Sequence, residues 1–214
     1  MSGYASLVLD VDSTVSGIEG IDWLAQRRGA DIAKRVAELT ERAMLGEIEL
    51  DAVFGERLRL VAPSRDEIAA LAKAYVAALA PGAKKAIAAL FEIGKTIVLV
   101  SGGLRQAIEP LAAALDVASG WLCAVDVRFD AAGKFAGFDE SSPLTTSSGK
   151  AEVVRAMALP RPIVLVGDGA TDLAARPAVD CFVAYTGFVR REAVAAKADH
   201  VAPNFGAVLD IVRG

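Results

Sequence analysis

Short apolar runs rich in β-branched residues recur along the chain and predict strands. Several are apolar throughout, which is typical of strands covered by helices on both faces. Stretches with helical spacing separate most of these runs, among them Leu104–Leu115, Ala151–Ala158 and Thr171–Arg176. The predicted strands are Leu7–Leu9, Thr96–Val100, Leu122–Val125, Ile163–Val166, Cys181–Ala184 and a weaker His200–Val201. This alternation predicts an α/β fold built on a doubly wound parallel sheet with right-handed crossovers.

The interval between the first two predicted strands breaks this alternation, because only helical patterns occur in it. Apolar residues follow helical spacing over residues 32–43 and again over residues 68–79. Ser64 and Glu67 form a capping box in front of the second stretch, in which Tyr75 is predicted to be a packing residue. We therefore expect a bundle of helices here instead of further strands.

We predict that residues 16–78 form a helical cap domain inserted into an α/β catalytic core of residues 1–15 and 79–214. An insertion at this point would cover the carboxyl ends of the strands, where α/β sheets bind ligands. A smaller insertion is predicted after the third strand, since Val127–Asp130 and Phe135–Phe138 flank a turn as in a β-hairpin.

Composition excludes several classes of function. The chain has 214 residues, of which 54% are hydrophobic, and a net charge of −4. Its Lys and Arg residues form no stripe, so neither nucleic acid nor an anionic membrane surface is expected as a partner. No apolar stretch approaches the ~20 residues that span a bilayer. Cys123 and Cys181 match no zinc spacing and are expected to be small core residues in a reducing cytoplasm. His200 is the single histidine, which rules out a multi-histidine metal site.

Two carboxylates, Asp10 and Asp12, stand where the first apolar strand ends, and two hydroxyl residues follow them directly. Side chains at positions i and i+2 of a strand share a face, so both carboxylates would point into the same space. Two like charges brought together are unfavourable unless a cation, a shared proton or a reaction accounts for them. The pair could also be a simple turn or capping pair.

Polar residues also follow two other predicted strands. Ser101-Gly102-Gly103 comes directly after Thr96–Val100, and the run 167–172 (Gly-Asp-Gly-Ala-Thr-Asp) comes directly after Ile163–Val166. Lys150 opens a predicted helix between the third and fourth strands. The carboxyl ends of parallel strands lie along one edge of the sheet, so we expect these groups to converge.

The acidic residues at these strand ends are suited to a metal ion. Asp10, Asp168 and Asp172 would supply the carboxylate oxygens that Mg²⁺ prefers. A phosphate, a cation and a carboxylate nucleophile together indicate phosphoryl transfer through an aspartyl-phosphate. Asp12 is then placed to act as general acid for the leaving oxygen and later as base for water.

Positive and neutral donors complete this predicted phosphate site. Ser101 and the backbone amide of Gly102 offer neutral hydrogen-bond donors near a helix start, which suits a phosphate group. Lys150 adds a point positive charge. The run 167–172 is not a dinucleotide-binding loop, because Asp168 and Asp172 would repel a pyrophosphate.

These motifs resemble those of the haloacid-dehalogenase-like phosphatase superfamily, in order, spacing and strand context. The run 10–14 (Asp-Val-Asp-Ser-Thr) is similar to its first motif, Ser101-Gly102-Gly103 to its second, Lys150 to its third and 167–172 to its fourth. The resemblance implies that Asp10 is the nucleophile and Asp12 the acid and base. It also implies a Mg²⁺ ion held by Asp10, the Asp12 carbonyl and Asp168, with Asp172 close by.

Within that superfamily the chain is most similar to the phosphoserine phosphatase family. Its first and fourth motifs have the forms DxDST and GDGATD, whose Thr171 the resemblance places among the substrate-binding residues. The resemblance further implies that Glu19 binds the substrate ammonium, that Met44 lines the pocket and that Arg57 binds the carboxylate of L-phosphoserine. A bidentate arginine suits a carboxylate on physical grounds too. The chain departs from the family at Leu50, where Phe is common, and in its polar loop 141–148.

Several alternatives stay open at this point. The same chemistry could act on another small phosphorylated metabolite, such as phosphoethanolamine or a sugar phosphate, or transfer the phosphoryl group to another alcohol. A phospho-accepting signalling domain also stores phosphate on an aspartate with Mg²⁺. Such a domain needs neither the general acid Asp12 nor a helical cap. The sequence leaves open whether the chain forms a homodimer.

Overall fold

The computed structural model describes residues 3–214 and contains a sheet of six parallel strands. The strands are β1 (Ser6–Leu9), β2 (Thr96–Leu104), β3 (Leu122–Val125), β4 (Val127–Phe129), β5 (Phe135–Phe138), β6 (Ile163–Gly167), β7 (Cys181–Tyr185) and β8 (His200–Ala202). The strand order in the sheet is β3-β2-β1-β6-β7-β8. A separate antiparallel pair, β4 and β5, forms a hairpin. Helices flank the sheet, so the predicted doubly wound α/β class is confirmed.

Strand β1 lies at the centre of the sheet and is buried along its whole length. Leu7 pairs with Ile97 of β2 on one side and with Val164 of β6 on the other. The chain therefore runs from β1 to β2 and β3 on one side of the sheet and then adds β6, β7 and β8 on the other side of β1. Ligands bind at such a switch point, beyond the carboxyl ends of the strands.

Ten helices connect and cover these strands in the described part of the chain. They are α1 (Gly20–Ala25), α2 (Ala30–Met44), α3 (Leu50–Val61), α4 (Arg65–Ala77), α5 (Ala83–Glu92), α6 (Arg105–Ala114), α7 (Gly149–Ala156), α8 (Ala170–Ala174), α9 (Glu192–Ala195) and α10 (Phe205–Arg213). None of the helices within residues 3–214 combines the length and the apolar character needed to cross a membrane.

Helices α1 to α4 occupy the interval for which only helical patterns were predicted. The capping box at the start of α4 is present, with Ser64 and Glu67 exchanging side-chain and backbone hydrogen bonds. Two backbone hydrogen bonds join the ends of this interval, from Ala80 to Val15 (2.9 Å) and from Gly17 to Ala78 (3.0 Å). The division into a core and a cap at residues 16–78 remains a prediction, and we call residues 16–78 the cap segment.

The predicted hairpin after the third strand is present, and it packs against the cap segment. The rings of Phe54 in α3 and Phe138 in β5 meet edge to face, with centroids 5.4 Å apart. The backbone amide of Arg65 donates to the carbonyl of Gly133 in the hairpin turn (2.9 Å). The hairpin of the core therefore contacts helices α3 and α4 of the cap segment through one aromatic pair and one backbone hydrogen bond.

Several element boundaries differ from the sequence prediction, most clearly those of β2 and α7. Strand β2 does not end at Val100 but continues through Ser101-Gly102-Gly103, because its pairing with β3 resumes at Leu104 after an irregular stretch. Helix α6 accordingly begins at Arg105. Helix α7 ends at Ala156, before the predicted Ala158, whose φ of 46° is left-handed and cannot continue a right-handed helix.

Candidate active site

A cavity lies where the carboxyl ends of β1, β2 and β6 face the cap segment. Core and cap residues both line it, so its contents would contact both parts of the chain. Of the residues predicted for the site, all but Asp172 line the cavity: Asp10, Asp12, Glu19, Met44, Arg57, Ser101, Gly102, Lys150, Asp168 and Thr171. Asp172 lies directly behind it, in contact with Lys150.

Lys150 is the centre of the charged cluster at the core end of the cavity. Its Nζ lies 2.6 Å from Oδ1 of Asp10 and 2.6 Å from Oδ1 of Asp172, and all three side chains are buried. Burial by itself lowers the pKa of Lys150, but attraction to the two carboxylates outweighs it and raises the pKa overall. Lys150 therefore remains a cation in a site from which water is largely excluded.

Asp10, the predicted nucleophile, follows β1 directly. Burial raises its pKa well above the usual range, repulsion from Asp172 adds to this, and Lys150 offsets only part of the effect. The cavity lining as a whole includes five carboxyl groups and two cationic side chains, Arg57 and Lys150, and a third buried cation, Arg191, lies behind it. This excess of negative charge is unfavourable in a buried site unless a further cation is present.

Asp168, at the start of the loop after β6, completes the acidic cluster. Its carboxylate accepts hydrogen bonds from the Thr14 hydroxyl (3.1 Å) and from the guanidinium of Arg191. Burial raises the pKa of Asp168 to about 8, and repulsion from Glu19 adds to this shift.

The donor set of the cluster fits a metal ion. One carboxylate oxygen each from Asp10, Asp168 and Asp172 lie within 4.8 Å of one another, and all three residues are buried. Carboxylate oxygens suit hard divalent cations. Bound there, such a cation would also offset the excess negative charge of the lining.

Asp12 lies beside this cluster, and its two carboxylate oxygens have different surroundings. The buried hydroxyl of Tyr75 donates a hydrogen bond to Oδ1 (2.5 Å). Burial raises the pKa of Asp12 to about 7, although the bond from Tyr75 counteracts the shift. Burial, together with the Asp12 charge, raises the pKa of Tyr75 well above its usual range, so the phenol stays protonated and donates.

Ser101, Gly102 and Gly103 border the cavity from the end of β2. The buried Ser101 hydroxyl accepts a hydrogen bond from the Gly103 amide (2.9 Å) and keeps its own proton for another partner. A Cβ on Gly102 would lie 3.3 Å from the carbonyl oxygen of Leu144. Only a small residue therefore fits between the strand end and the loop that precedes α7.

The cap segment contributes a buried arginine to the opposite end of the cavity. Arg57 in α3 donates from Nη1 to the Thr40 hydroxyl (2.7 Å), which in turn donates to Oδ1 of Asp22 (2.5 Å). The Nε of Arg57 is buried and has no hydrogen-bond partner among residues 3–214. This leaves a fixed guanidinium that can bind an anion entering the cavity.

Glu19 and Met44 close the cavity from the cap side. The carboxylate of Glu19 accepts a hydrogen bond from Ser13 (2.7 Å), and burial raises its pKa to about 7, with repulsion from Asp12 adding to the shift. Met44, at the end of α2, packs over the loop after β6: a Cβ on Gly169 would come within 2.8 Å of its sulfur. Thr171 lies buried in the first turn of α8, on the wall formed by that loop.

Arg191 was not predicted from the sequence, yet its buried guanidinium contacts Asp168 and lies 3.9 Å from Glu19. The neighbouring Arg190 is exposed and pairs with Glu192, so residue type does not distinguish the two arginines. The role predicted for Tyr75 was incomplete, because its ring packs as expected but its hydroxyl bonds to Asp12. A tyrosine in an apolar stripe carries no sequence signal for such a bond.

Comparison with known proteins identifies the class to which this fold and site belong. Residues 7–175 match the family described as haloacid dehalogenase-like hydrolase, so the chain belongs to that family. A phosphoserine phosphatase from Bos taurus is 36% identical over 203 residues, which cover 94% of this chain and 89% of the relative. The chloroplastic phosphoserine phosphatase of Arabidopsis thaliana is 38% identical over 210 residues, or 96% of this chain and 70% of that protein.

The fold has close counterparts among solved structures. A phosphoserine phosphohydrolase-like protein from Francisella tularensis subsp. tularensis SCHU S4 superimposes with a TM-score of 0.88 at 23% sequence identity. The match covers 99% of this chain and 100% of that one, so the similarity extends over the whole fold.

Proposed function

We propose that this protein is a magnesium-dependent phosphatase that hydrolyses O-phospho-L-serine to L-serine and inorganic phosphate. The observation that carries the proposal is one cavity lined by two chemically different sets of residues. The core supplies Asp10, Lys150 and Asp168 and the cap segment supplies Arg57 and Glu19, and we call these two sets the core end and the cap end. The first set suits a phosphoryl group and its metal ion, and the second suits the carboxylate and ammonium groups of an amino acid. The curated relatives named above support this substrate.

In the first half of the reaction, a carboxylate oxygen of Asp10 attacks phosphorus in line with the serine oxygen. The bond between phosphorus and that oxygen breaks, a bond between phosphorus and Asp10 forms, and Asp12 donates a proton to the leaving serine. In the second half, Asp12 takes a proton from a water molecule that attacks the aspartyl-phosphate. Phosphate then leaves and Asp10 is regenerated.

Asp10, Asp168, Asp172 and the Asp12 carbonyl would hold Mg²⁺. When bound, Mg²⁺ supplies positive charge that offsets the charge developing on the phosphoryl oxygens. Lys150 adds a fixed cation on the same side, since it is held between Asp10 and Asp172. The Ser101 hydroxyl and the Gly102 amide donate to the phosphoryl oxygens, as preorganised donors do in sites that stabilise a transition state.

The cap segment selects the substrate in this proposal. Arg57 binds the carboxylate, and Thr40 holds its guanidinium so that Nε stays available. Glu19 binds the ammonium group, and Met44 and Thr171 pack against the rest of the molecule. A closed cavity also excludes bulk water, which strengthens each of these charge interactions. Cys123 and Cys181 are both free thiols, which fits the cytoplasm as the compartment.

The test is phosphate release from L-phosphoserine, measured with Mg²⁺, after chelation with EDTA, and after Mg²⁺ is added back. Phosphoethanolamine and glucose 6-phosphate serve as comparison substrates. We expect kcat/KM for L-phosphoserine to exceed both by at least ~100-fold, because the buried charges of the cap end would be unpaired with either alternative. Preference for another ester would contradict the substrate assignment. A stable phosphorylated Asp10 without phosphate release would favour a phospho-accepting signalling domain instead.

A further inference from the structure

Tyr75 joins the cap segment to the residue that the proposed mechanism uses as acid and base. It lies in α4, its side chain is fully buried, and its hydroxyl donates to Oδ1 of Asp12 at 2.5 Å. The contact crosses from the cap segment to the core, because Asp12 follows β1. It is a hydrogen bond between two side chains, and nothing in the proposed chemistry requires the phenol to touch substrate.

The second carboxylate oxygen of Asp12 faces the phosphate end of the cavity. A Cβ built on Gly103 would lie 3.4 Å from Oδ2 of Asp12 and 3.1 Å from the Ser101 hydroxyl oxygen. Oδ2 is therefore turned towards the donors at the end of β2, while Oδ1 is occupied by Tyr75. An aspartate carboxyl turns readily about its last torsion, whose preferences are broad. A hydrogen bond to one of its oxygens limits that rotation and determines which oxygen faces the reacting group.

Tyr75 is itself held in place at the base of the cap segment. Its carbonyl accepts a hydrogen bond from the Ser16 hydroxyl (3.0 Å), and Ser16 also forms β-bridges with Asp12 and Leu79. The phenol thus lies where the two chain connections between cap and core run side by side. Gly20 leaves it room, because a Cβ there would come within 2.1 Å of the Tyr75 hydroxyl oxygen.

We propose that Tyr75 is a positioning residue for the phosphatase reaction. Its hydroxyl keeps Oδ1 of Asp12 engaged and so presents Oδ2 to the leaving oxygen of the substrate. This inference rests on the function proposed above and assigns Tyr75 no contact with substrate. Its effect on the rate is exerted through Asp12 alone.

The first test compares Tyr75→Phe with wild type on two substrates that differ in their need for an acid. The alkoxide of serine leaves only with a proton, whereas p-nitrophenolate leaves without one. We expect Tyr75→Phe to lower kcat/KM for L-phosphoserine by about 10-fold or more, part of the ~10²- to 10⁴-fold that general acid catalysis contributes. For p-nitrophenyl phosphate we expect a change of less than about 3-fold, since that step draws little on the acid. Tyr185→Phe is the matched control, since it removes another buried tyrosine hydroxyl away from the cavity.

Equal losses on the two substrates would overturn the proposal and indicate a general structural defect. No loss on either substrate would overturn it too. Absence of L-phosphoserine turnover in the wild-type protein would instead contradict the proposed function, and the comparison would then use the alkyl phosphate that the wild type does hydrolyse. The two failures are therefore distinguishable.

A double-mutant cycle with Asp12→Asn tests the same idea on an alkyl phosphate alone. If Tyr75 acts through Asp12, then Tyr75→Phe changes kcat/KM by less than about 2-fold in the Asp12→Asn background, because coupled residues are non-additive. The same factor in both backgrounds would contradict the proposal. If circular dichroism shows that Tyr75→Phe does not fold, Gly20→Ala replaces it, because the added methyl group would lie 2.1 Å from the Tyr75 hydroxyl oxygen and the contact between Tyr75 and Asp12 would have to shift. Unchanged kcat/KM in that variant would count against the positioning role.

Discussion

Lys150 and Asp10 form a buried ion pair, with Nζ 2.6 Å from Oδ1, although they belong to segments far apart in the chain. Lys150 belongs to the first turn of α7, and Asp10 follows the central strand. Lys150 bonds equally closely to Asp172 after β6, so one ammonium group connects two acidic segments of the core. Removal of either partner would therefore leave a buried charge without its counterion.

Replacement of Lys150 by Met should destabilise the fold and reduce turnover together. Removing one partner of a buried ion pair leaves an uncompensated charge, and we expect a loss of about 3 kcal/mol in the free energy of unfolding. Turnover of L-phosphoserine should fall at least ~100-fold, since a preorganised cation on the phosphoryl group is lost. Denaturant unfolding and phosphate release measure the two effects. Lys34→Met, at an exposed lysine, is the control, and a loss as large in that variant would refute this explanation.

Asp10→Asn should abolish turnover and leave the fold intact. An amide cannot form the aspartyl-phosphate, so kcat should fall at least ~10⁴-fold, as when a nucleophile is removed from other hydrolases. Phosphate release measures the loss, and circular dichroism checks the fold. Asp116→Asn is a matched control, because Asn tolerates the left-handed backbone of that exposed position (φ 59°). Substantial turnover by folded Asp10→Asn would eliminate Asp10 as the nucleophile.

Arg57→Ala should change the substrate preference more than the chemistry. We expect KM for L-phosphoserine to rise at least ~30-fold, because a buried charge pair with the substrate carboxylate is lost. For phosphoethanolamine, which lacks a carboxylate, kcat/KM should change less than about 3-fold, since no such pair forms with it. Steady-state kinetics on both substrates measure the difference. Arg59→Ala, two positions along α3 and exposed, is the control. Equal losses on both substrates would remove Arg57 from the specificity role.

Because of Glu67, the free energy of unfolding should depend on pH between about 4.5 and 2. Its hydrogen bonds with the Arg28 guanidinium hold the pKa of Glu67 at about 2, against an ordinary value of 4.5. A carboxyl group whose pKa is lower in the folded state stabilises the fold above its unfolded pKa. That contribution is lost as the pH falls from about 4.5 towards 2.

Glu67→Gln should therefore lower the free energy of unfolding at pH 7 by about 1–2 kcal/mol, a figure reduced for partial solvent screening. The difference from wild type should shrink as the pH falls towards 2, where Glu67 is protonated in the unfolded state and about half protonated in the folded state. Urea unfolding over this pH range provides the measurement. Glu38→Gln is the control, since its partner Lys34 is 3.9 Å away and both side chains are exposed. A constant difference between wild type and Glu67→Gln at all pH values would contradict the assignment.

The sequence by itself determined the strands of the sheet and the placement of its chemistry. The apolar runs predict strands because residues buried on both faces of a parallel sheet must be apolar, as Leu7 and Val164 are. The proximity of Asp10, Ser101 and Asp168 could be predicted because the carboxyl ends of parallel strands lie along one edge of the sheet. The capping box of Ser64 and Glu67 was equally visible, since it depends only on local spacing.

The tertiary structure decided the contacts that depend on how the cap segment lies on the core. Arg191 is buried against Asp168 while Arg190 is exposed, and Tyr75 reaches Asp12 from another part of the chain. Neither contact follows from residue type or spacing. Each depends on the distance and angle between packed elements, which many side chains set together. A pattern along the chain indicates which face of a helix is buried, but only the packing of that face determines which polar atom meets its partner.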